Sequence, residues 1–111
     1  SLVDEPGFMI GSESEKAGTI RFGTAAVLAA ADCIIPWASV VVRKSFGVAQ
    51  GAHYGADAHV LTWPSAEMGP LPVEGGVAVA FGREIAAAPD PDARRREVEE
   101  MMAQRQSAFR A

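Results

Sequence analysis

The residues best suited to chemistry form one short run, Phe46-Gly47-Val48-Ala49-Gln50-Gly51-Ala52. It follows an apolar stretch that reads as a strand, and its own residues are small. A strand, a glycine turn and a small-residue helix together aim backbone N–H groups at a ligand. Two such groups can hold the negative charge that develops on an oxygen, and a site of that kind needs no reactive side chain. The same residues also suit a tight packing turn between a strand and a helix, and composition leaves both readings open. Arg43 and Lys44 end the strand just ahead of the turn. They could meet an anionic ligand or simply be strand-end charges.

The other reactive side chains lack partners in the sequence. His53 and His59 are the only histidines. A metal site needs three or four ligands at compatible spacing, so none is expected here. Cys33 lies among Ala30, Ala31, Ile34 and Ile35 and reads as a buried small hydrophobe rather than a nucleophile. Ser45 has no G-x-S-x-G context. The glycines form neither a dinucleotide fingerprint nor a phosphate-binding P-loop.

The elements that must position the turn follow from hydrophobic spacing and breakers. Leu2 and Val3 begin a strand that Pro6 and Gly7 end. Ser12 with Glu15 three residues later matches a capping box. A helix is expected from there, with Ala17, Ile20, Thr24, Val27, Leu28 and Ala31 on one face. Trp37 to Val42 predicts a strand buried on both faces. A small-residue helix is then expected to reach Gly55, and His59 to Trp63 a further strand stopped by Pro64. Ser65 and Glu67 precede a loop, Gly69-Pro70-Leu71-Pro72. A helix from Val73 or Glu74 to Phe81, a linker from Ala86 to Pro91 and a helix from Asp92 to Phe109 complete the chain. On the last helix Val98, Met101, Met102, Arg105 and Phe109 share a face. Strands alternating with helices predict an α/β layered fold with parallel strands.

The 111 residues suit one domain, with 49% hydrophobic and 22% charged residues. The net charge of −4 and the absence of a basic stripe exclude a nucleic-acid module. Arg94, Arg95 and Arg96 run directly into Glu97, Glu99 and Glu100, which reads as a solvated helix face. No apolar run approaches a membrane span. The single cysteine forms no intrachain disulfide, and a reducing compartment is the default. The chain opens without an initiator Met and directly into a strand-like segment, so a piece of a longer polypeptide is expected.

Six segments carry a family resemblance. Asp4-Glu5-Pro6-Gly7-Phe8-Met9-Ile10-Gly11 and Glu15-Lys16-Ala17-Gly18 resemble the P-G-F-x-x-G and E-K-A-G segments of the carboxyltransferase (β) subunits of acyl-CoA carboxylases, the propionyl-CoA and acetyl-CoA carboxylase type. Arg43-Lys44-Ser45-Phe46-Gly47 is similar to their R-K-[AS]-[FY]-G motif. Gly55-Ala56-Asp57, Trp63-Pro64-Ser65-Ala66-Glu67 and Glu74-Gly75-Gly76-Val77 resemble their G-A-D, W-P-[ST]-A-[EQ] and E-G-A-V segments, in order. The resemblance runs from about Leu2 to Ile85.

It implies a partial crotonase-like (ClpP/crotonase) fold of repeated ββα units, with residues 1–111 forming part of one C-terminal carboxyltransferase domain. It implies transfer of a carboxyl group from carboxybiotin, carried on a partner, to the α-carbon of an acyl-CoA. Two pairs of backbone N–H groups stabilise two enolates in the family. The pair on the biotin side would here be Val48 and Ala49, in the turn opened by Gly47. Phe8, Gly11, Phe46, Gln50 and Gly51 would line the cofactor and substrate sites. The implied partners are a biotin carboxyl carrier or biotin carboxylase subunit, and another copy of the chain whose N-terminal domain completes the site. No nucleic acid and no membrane are expected. The implied setting is fatty acid metabolism in the bacterial cytoplasm or mitochondrial matrix.

The chain departs from the family at two places, and a third residue bears on the acyl group. Val48 replaces the middle glycine of the turn. Leu71-Pro72-Val73 stands where M-G-P is common, which suggests a loop shaped for a different acyl group. Gly51, just past the turn, would leave room for an acyl group larger than acetyl. These 111 residues alone are expected to show little or no activity. The alternatives are a diverged segment that only binds CoA thioesters or assembles subunits, and a biotin-independent acyl-CoA decarboxylase of the same fold.

Overall fold

The computed structural model describes residues 1–109. Its frame is a four-stranded sheet centred on Ala38–Phe46, here β2. Leu2–Glu5 (β1) lies on one side of it and His59–Thr62 (β3) on the other, and Glu67–Gly69 (β4) pairs with its last residues. Every pairing is parallel. The central position explains why the β2 run is so apolar, with Val41 at 0% and Phe46 at 1% exposure.

β3 pairs with Ala38 to Val41 and β4 with Lys44 to Phe46, so the two take successive stretches of one β2 edge. Between them Pro64 has no N–H to give the ladder. The Ser65 hydroxyl instead donates to the Val42 carbonyl at 2.7 Å. This substitution makes β4 possible, in a place where the sequence predicts only a loop. On the opposite edge, Val3 faces Val41 and Glu5 faces Ser45, with a register irregularity between.

The helices also differ from expectation. Ser12–Lys16 (α1) and Thr19–Ala31 (α2) are separate, because Gly18 at φ 75°, ψ 30° sits in the left-handed region and breaks the run. The capping box does not form. Gly11 holds the cap position, with no side-chain hydrogen bond, and Ser12 is already helical. On α2 the packed positions are Gly23, Val27 and Ala30, while Ile20 and Leu28 are about three-fifths exposed. Small residues face inward because neighbours approach closely there: a Cβ at Gly23 would stand 2.3 Å from Phe8 Cζ.

Val73–Ala87 (α3) and Pro91–Gln106 (α4) form a helical hairpin. Asp90 caps α4, its carboxylate accepting from the Ala93 N–H at 3.0 Å, and Pro91 takes the first turn where a missing N–H is harmless. The expected linker shrinks to residues 88–90, since α3 continues past Phe81. Val77, Ile85 and Val98 form the seam, with Val73, Phe81, Met101 and Met102 packed around it. α4 ends at Gln106, so Phe109 leaves the predicted face and is 69% exposed. Arg94 pairs with Glu84 and Glu97, in keeping with a solvated face. Ile85→Ala is expected to cost about 2–5 kcal/mol. Loss of amide protection confined to α3 and α4 in hydrogen exchange would report it.

Candidate functional site

Parallel strands end at one edge of a sheet, and ligand crevices of open α/β sheets lie outside those carboxyl ends. β1, β2 and β4 end together here, because Glu5 is opposite Ser45 and Gly69 opposite Phe46. The turn that follows β2 leaves this edge at Gly47. Its φ of 64° and ψ of −156° are open essentially to glycine alone. The Gly47 N–H donates to the Gly69 carbonyl at 3.0 Å, and a Cβ on Gly47 would stand 3.4 Å from the Pro70 carbonyl oxygen. Gly47→Ala is therefore expected to cost about 1–3 kcal/mol in backbone strain and to displace the turn. A lowered thermal midpoint with the chemical-shift changes centred on residues 45–51 is the expected observation.

Val48–His53 is a six-residue 3-10 helix, not the α-helix expected there. The N–H groups of Val48 and Ala49 belong to its first positions, which have no partner within the helix ladder. No side chain caps them. Val48 is 63% exposed and Ala49 is 2% exposed, so the turn is open at the first residue and packed at the second. The valine that replaces the family's glycine thus points its bulk outward.

The other residues implied by resemblance are placed as follows. Phe46 is 1% exposed at the end of β2, directly before the turn. Gln50 is half-buried. Gly51 packs closely on α2, where a Cβ would meet Val27 Cγ1 at 3.1 Å. Phe8 rests on Gly23 and, with Met9, Ile10, Thr19 and Ile20, lines an apolar hollow of about 380 Å³. Gly11, at φ 105°, starts α1 beside it. Phe8 and Gly11 thus belong to the α2 side of the sheet edge. Pro72 caps the start of α3, its carbonyl accepting from the Gly76 N–H at 2.8 Å.

Arg43 is a strand-end charge with a partner. Its Nε lies 3.1 Å from both carboxylate oxygens of Asp4, and the Lys44 N–H donates to the same carboxylate at 3.3 Å. The Arg43 hydrogen bond holds the Asp4 carboxyl below its ordinary range, and the Lys44 N–H adds to the effect. A lowered folded-state value stabilises the fold above the ordinary carboxylate range, and that contribution is lost as pH falls through the lowered value. Asp4→Asn is accordingly expected to unfold more easily than the parent near neutral pH and to converge with it in acid. Because the pair is exposed, salt should narrow the gap.

The remaining candidates do not converge. His53 Nδ1 is 3.2 Å from Ser1 Oγ, His59 begins β3 and is exposed, and Cys33 is half-buried just after α2, not buried. Among the described residues no group of three or more His, Cys, Asp or Glu is placed to hold a metal, and no helix is long and apolar enough to cross a membrane. The sequence reading missed Tyr54 and Ser39. Their signal was a pair of serines, Ser39 and Ser45, inside the central strand.

The carboxyl transferase domain family matches residues 1–111. The chain is 44% identical over 100 residues to the methylmalonyl-CoA carboxyltransferase 12S subunit of Propionibacterium freudenreichii subsp. shermanii, covering 86% of this chain and 19% of that protein. It is 38% identical over 102 residues to the carboxyltransferase subunit of propionyl-CoA carboxylase from Haloferax mediterranei, covering 88% and 20%. The crystal structure of a transcarboxylase 12S hexamer with methylmalonyl-coenzyme A and methylmalonic acid bound superposes with a TM-score of 0.81 at 43% identity, covering 91% of this chain and 20% of that one. The chain thus spans about a fifth of the length of these proteins.

Proposed function

The chain belongs to the carboxyl transferase domain family, and from that premise we propose that the polypeptide carrying it moves a carboxyl group between biotin and an acyl-CoA. The fold is the α/β crotonase type, present in part. Residues 1–111 are read as part of one C-terminal carboxyltransferase domain.

The observation that carries the reading is the turn at Gly47. It lies at the carboxyl edge of a parallel sheet, in a conformation that only glycine adopts readily, and opens N–H groups outside any ladder. Such a set offers donors and no acceptor, which fits the ureido oxygen of biotin, an acceptor. Biotin supplies the exchangeable carboxyl group when bound. The Val48 and Ala49 N–H groups would orient it and donate hydrogen bonds to its ureido oxygen. Each preorganised donor of this kind is worth about 3 kcal/mol in the transition state. Gly47 fixes the direction of those donors, and Phe46 holds the turn on the sheet.

Biotin would arrive on a carrier or biotin carboxylase subunit. The thioester-side donors would come from the N-terminal domain of another copy. The exposed Ile20, Phe22, Leu28 and Ile34 support such covering, since isolated domains seldom expose so much apolar surface. The setting is fatty acid metabolism in a bacterial cytoplasm or mitochondrial matrix.

The test is the reverse reaction on the full polypeptide, followed as loss of carboxylate from malonyl-CoA and methylmalonyl-CoA with and without free biotin. Biotin-dependent loss is expected. Loss that ignores biotin would move the assignment to a decarboxylase, and no loss from a CoA-binding polypeptide to a binding or assembly role.

A further inference from the structure

We infer that the hydrogen bond between Ser45 and Tyr54, backed by a Trp37–Ser39–His53 chain of hydrogen bonds, positions the donor turn; the inference rests on the reading of that turn given above. Ser39 and Ser45 are each 0% exposed in the central strand. A buried hydroxyl without a partner costs free energy, whereas an apolar side chain at either place would carry no such cost. Both hydroxyls are committed to the segment that returns from the turn. Ser39 Oγ accepts from the Trp37 indole N–H at 3.0 Å and donates to the His53 carbonyl at 2.5 Å. Ser45 Oγ lies 2.7 Å from the Tyr54 hydroxyl.

The returning segment needs such ties. A 3-10 helix has poor hydrogen-bond geometry and holds itself weakly. Here it is pinned at the Gly47 N–H by Gly69, and at the His53 carbonyl by Ser39. The Tyr54 ring packs against the Val3, Val41 and Ala66 cluster, and its hydroxyl comes back to Ser45, two residues before Gly47. The three ties leave the six residues between them little freedom to rotate about the strand axis. Donors that stabilise a transition state must be held to a fraction of an ångström. Tyr54 and Ser45 are thus positioning residues, acting on the Val48 and Ala49 N–H groups through the backbone.

The test uses the full polypeptide and biotin-dependent loss of carboxylate from methylmalonyl-CoA. Tyr54→Phe keeps the ring and removes one hydrogen bond. Its kcat is expected to fall about tenfold with KM for the acyl-CoA little changed, beside a lowered thermal midpoint because the buried Ser45 hydroxyl loses its partner. Ser45→Ala removes the same bond from the other end and should match it, and the double variant should lose no more than either single one. An unchanged kcat in Tyr54→Phe, beside a depressed kcat in Val48→Pro, would overturn this inference while leaving the turn's role standing. A full rate in Val48→Pro would instead remove the reading on which it rests. A change confined to the thermal midpoint or to KM for the acyl-CoA would mark the bond as merely structural and also overturn it.

Discussion

Val48→Pro in the full polypeptide is expected to lower biotin-dependent carboxyl transfer about 10²-fold, with folding and assembly intact. The substitution deletes one N–H and little else. Val48 is the first residue of its helix, where proline is favoured, and its side chain is 63% exposed, so the ring meets solvent. Gly47 before it has ψ −156°, an extended value that proline tolerates in its predecessor. Ala49→Pro deletes the second donor and should cost as much in rate. Ala49 is 2% exposed, however, so a ring there must also displace packed neighbours, and lowered stability should accompany the lost rate. Comparing the two variants by forward transfer and by thermal unfolding separates loss of a donor from loss of packing.

Phe46→Ala is expected to lower stability by about 3–5 kcal/mol. Phe46 closes the central strand at 1% exposure and pairs with Gly69 of β4, whose carbonyl takes the Gly47 N–H. Removing the ring leaves a cavity under both strands that set the turn. The loss should therefore reach activity as well, through a mobile turn. Denaturant titration measures the stability change, and hydrogen exchange at residues 44–51 locates it. A variant as stable as the parent would show that the ring is dispensable to the sheet edge.

The legible parts of the fold were those written in local chemistry. The apolar run of β2 marked a central strand, Gly47 marked the turn, and the spacing of Val98, Met101 and Met102 marked the seam of α4. What failed depended on partners far away in sequence. β4 exists because Ser65 satisfies Val42 across the break at Pro64. The inward face of α2 is Gly23, Val27 and Ala30, because Phe8 and Gly51 press close against it, while hydrophobicity alone pointed to Ile20 and Leu28. Ser12 and Glu15 had the spacing of a cap, but Gly11 had the conformational freedom to take the position. At the site, the turn was readable from its residue types. The burial of Phe46, the close packing at Gly51 and the ties from Ser39 and Ser45 were not, since each depends on which segment folds back onto the strand.

The central claim is that the turn after β2 supplies its N–H groups to the biotin side of carboxyl transfer. The most direct measurement compares parent and Val48→Pro full polypeptides in loss of carboxylate from methylmalonyl-CoA across a titration of free biotin. The biotin-dependent rate should collapse in the variant while acyl-CoA binding is retained. An undiminished biotin-dependent rate, or retained biotin dependence with lost acyl-CoA binding, would contradict the claim.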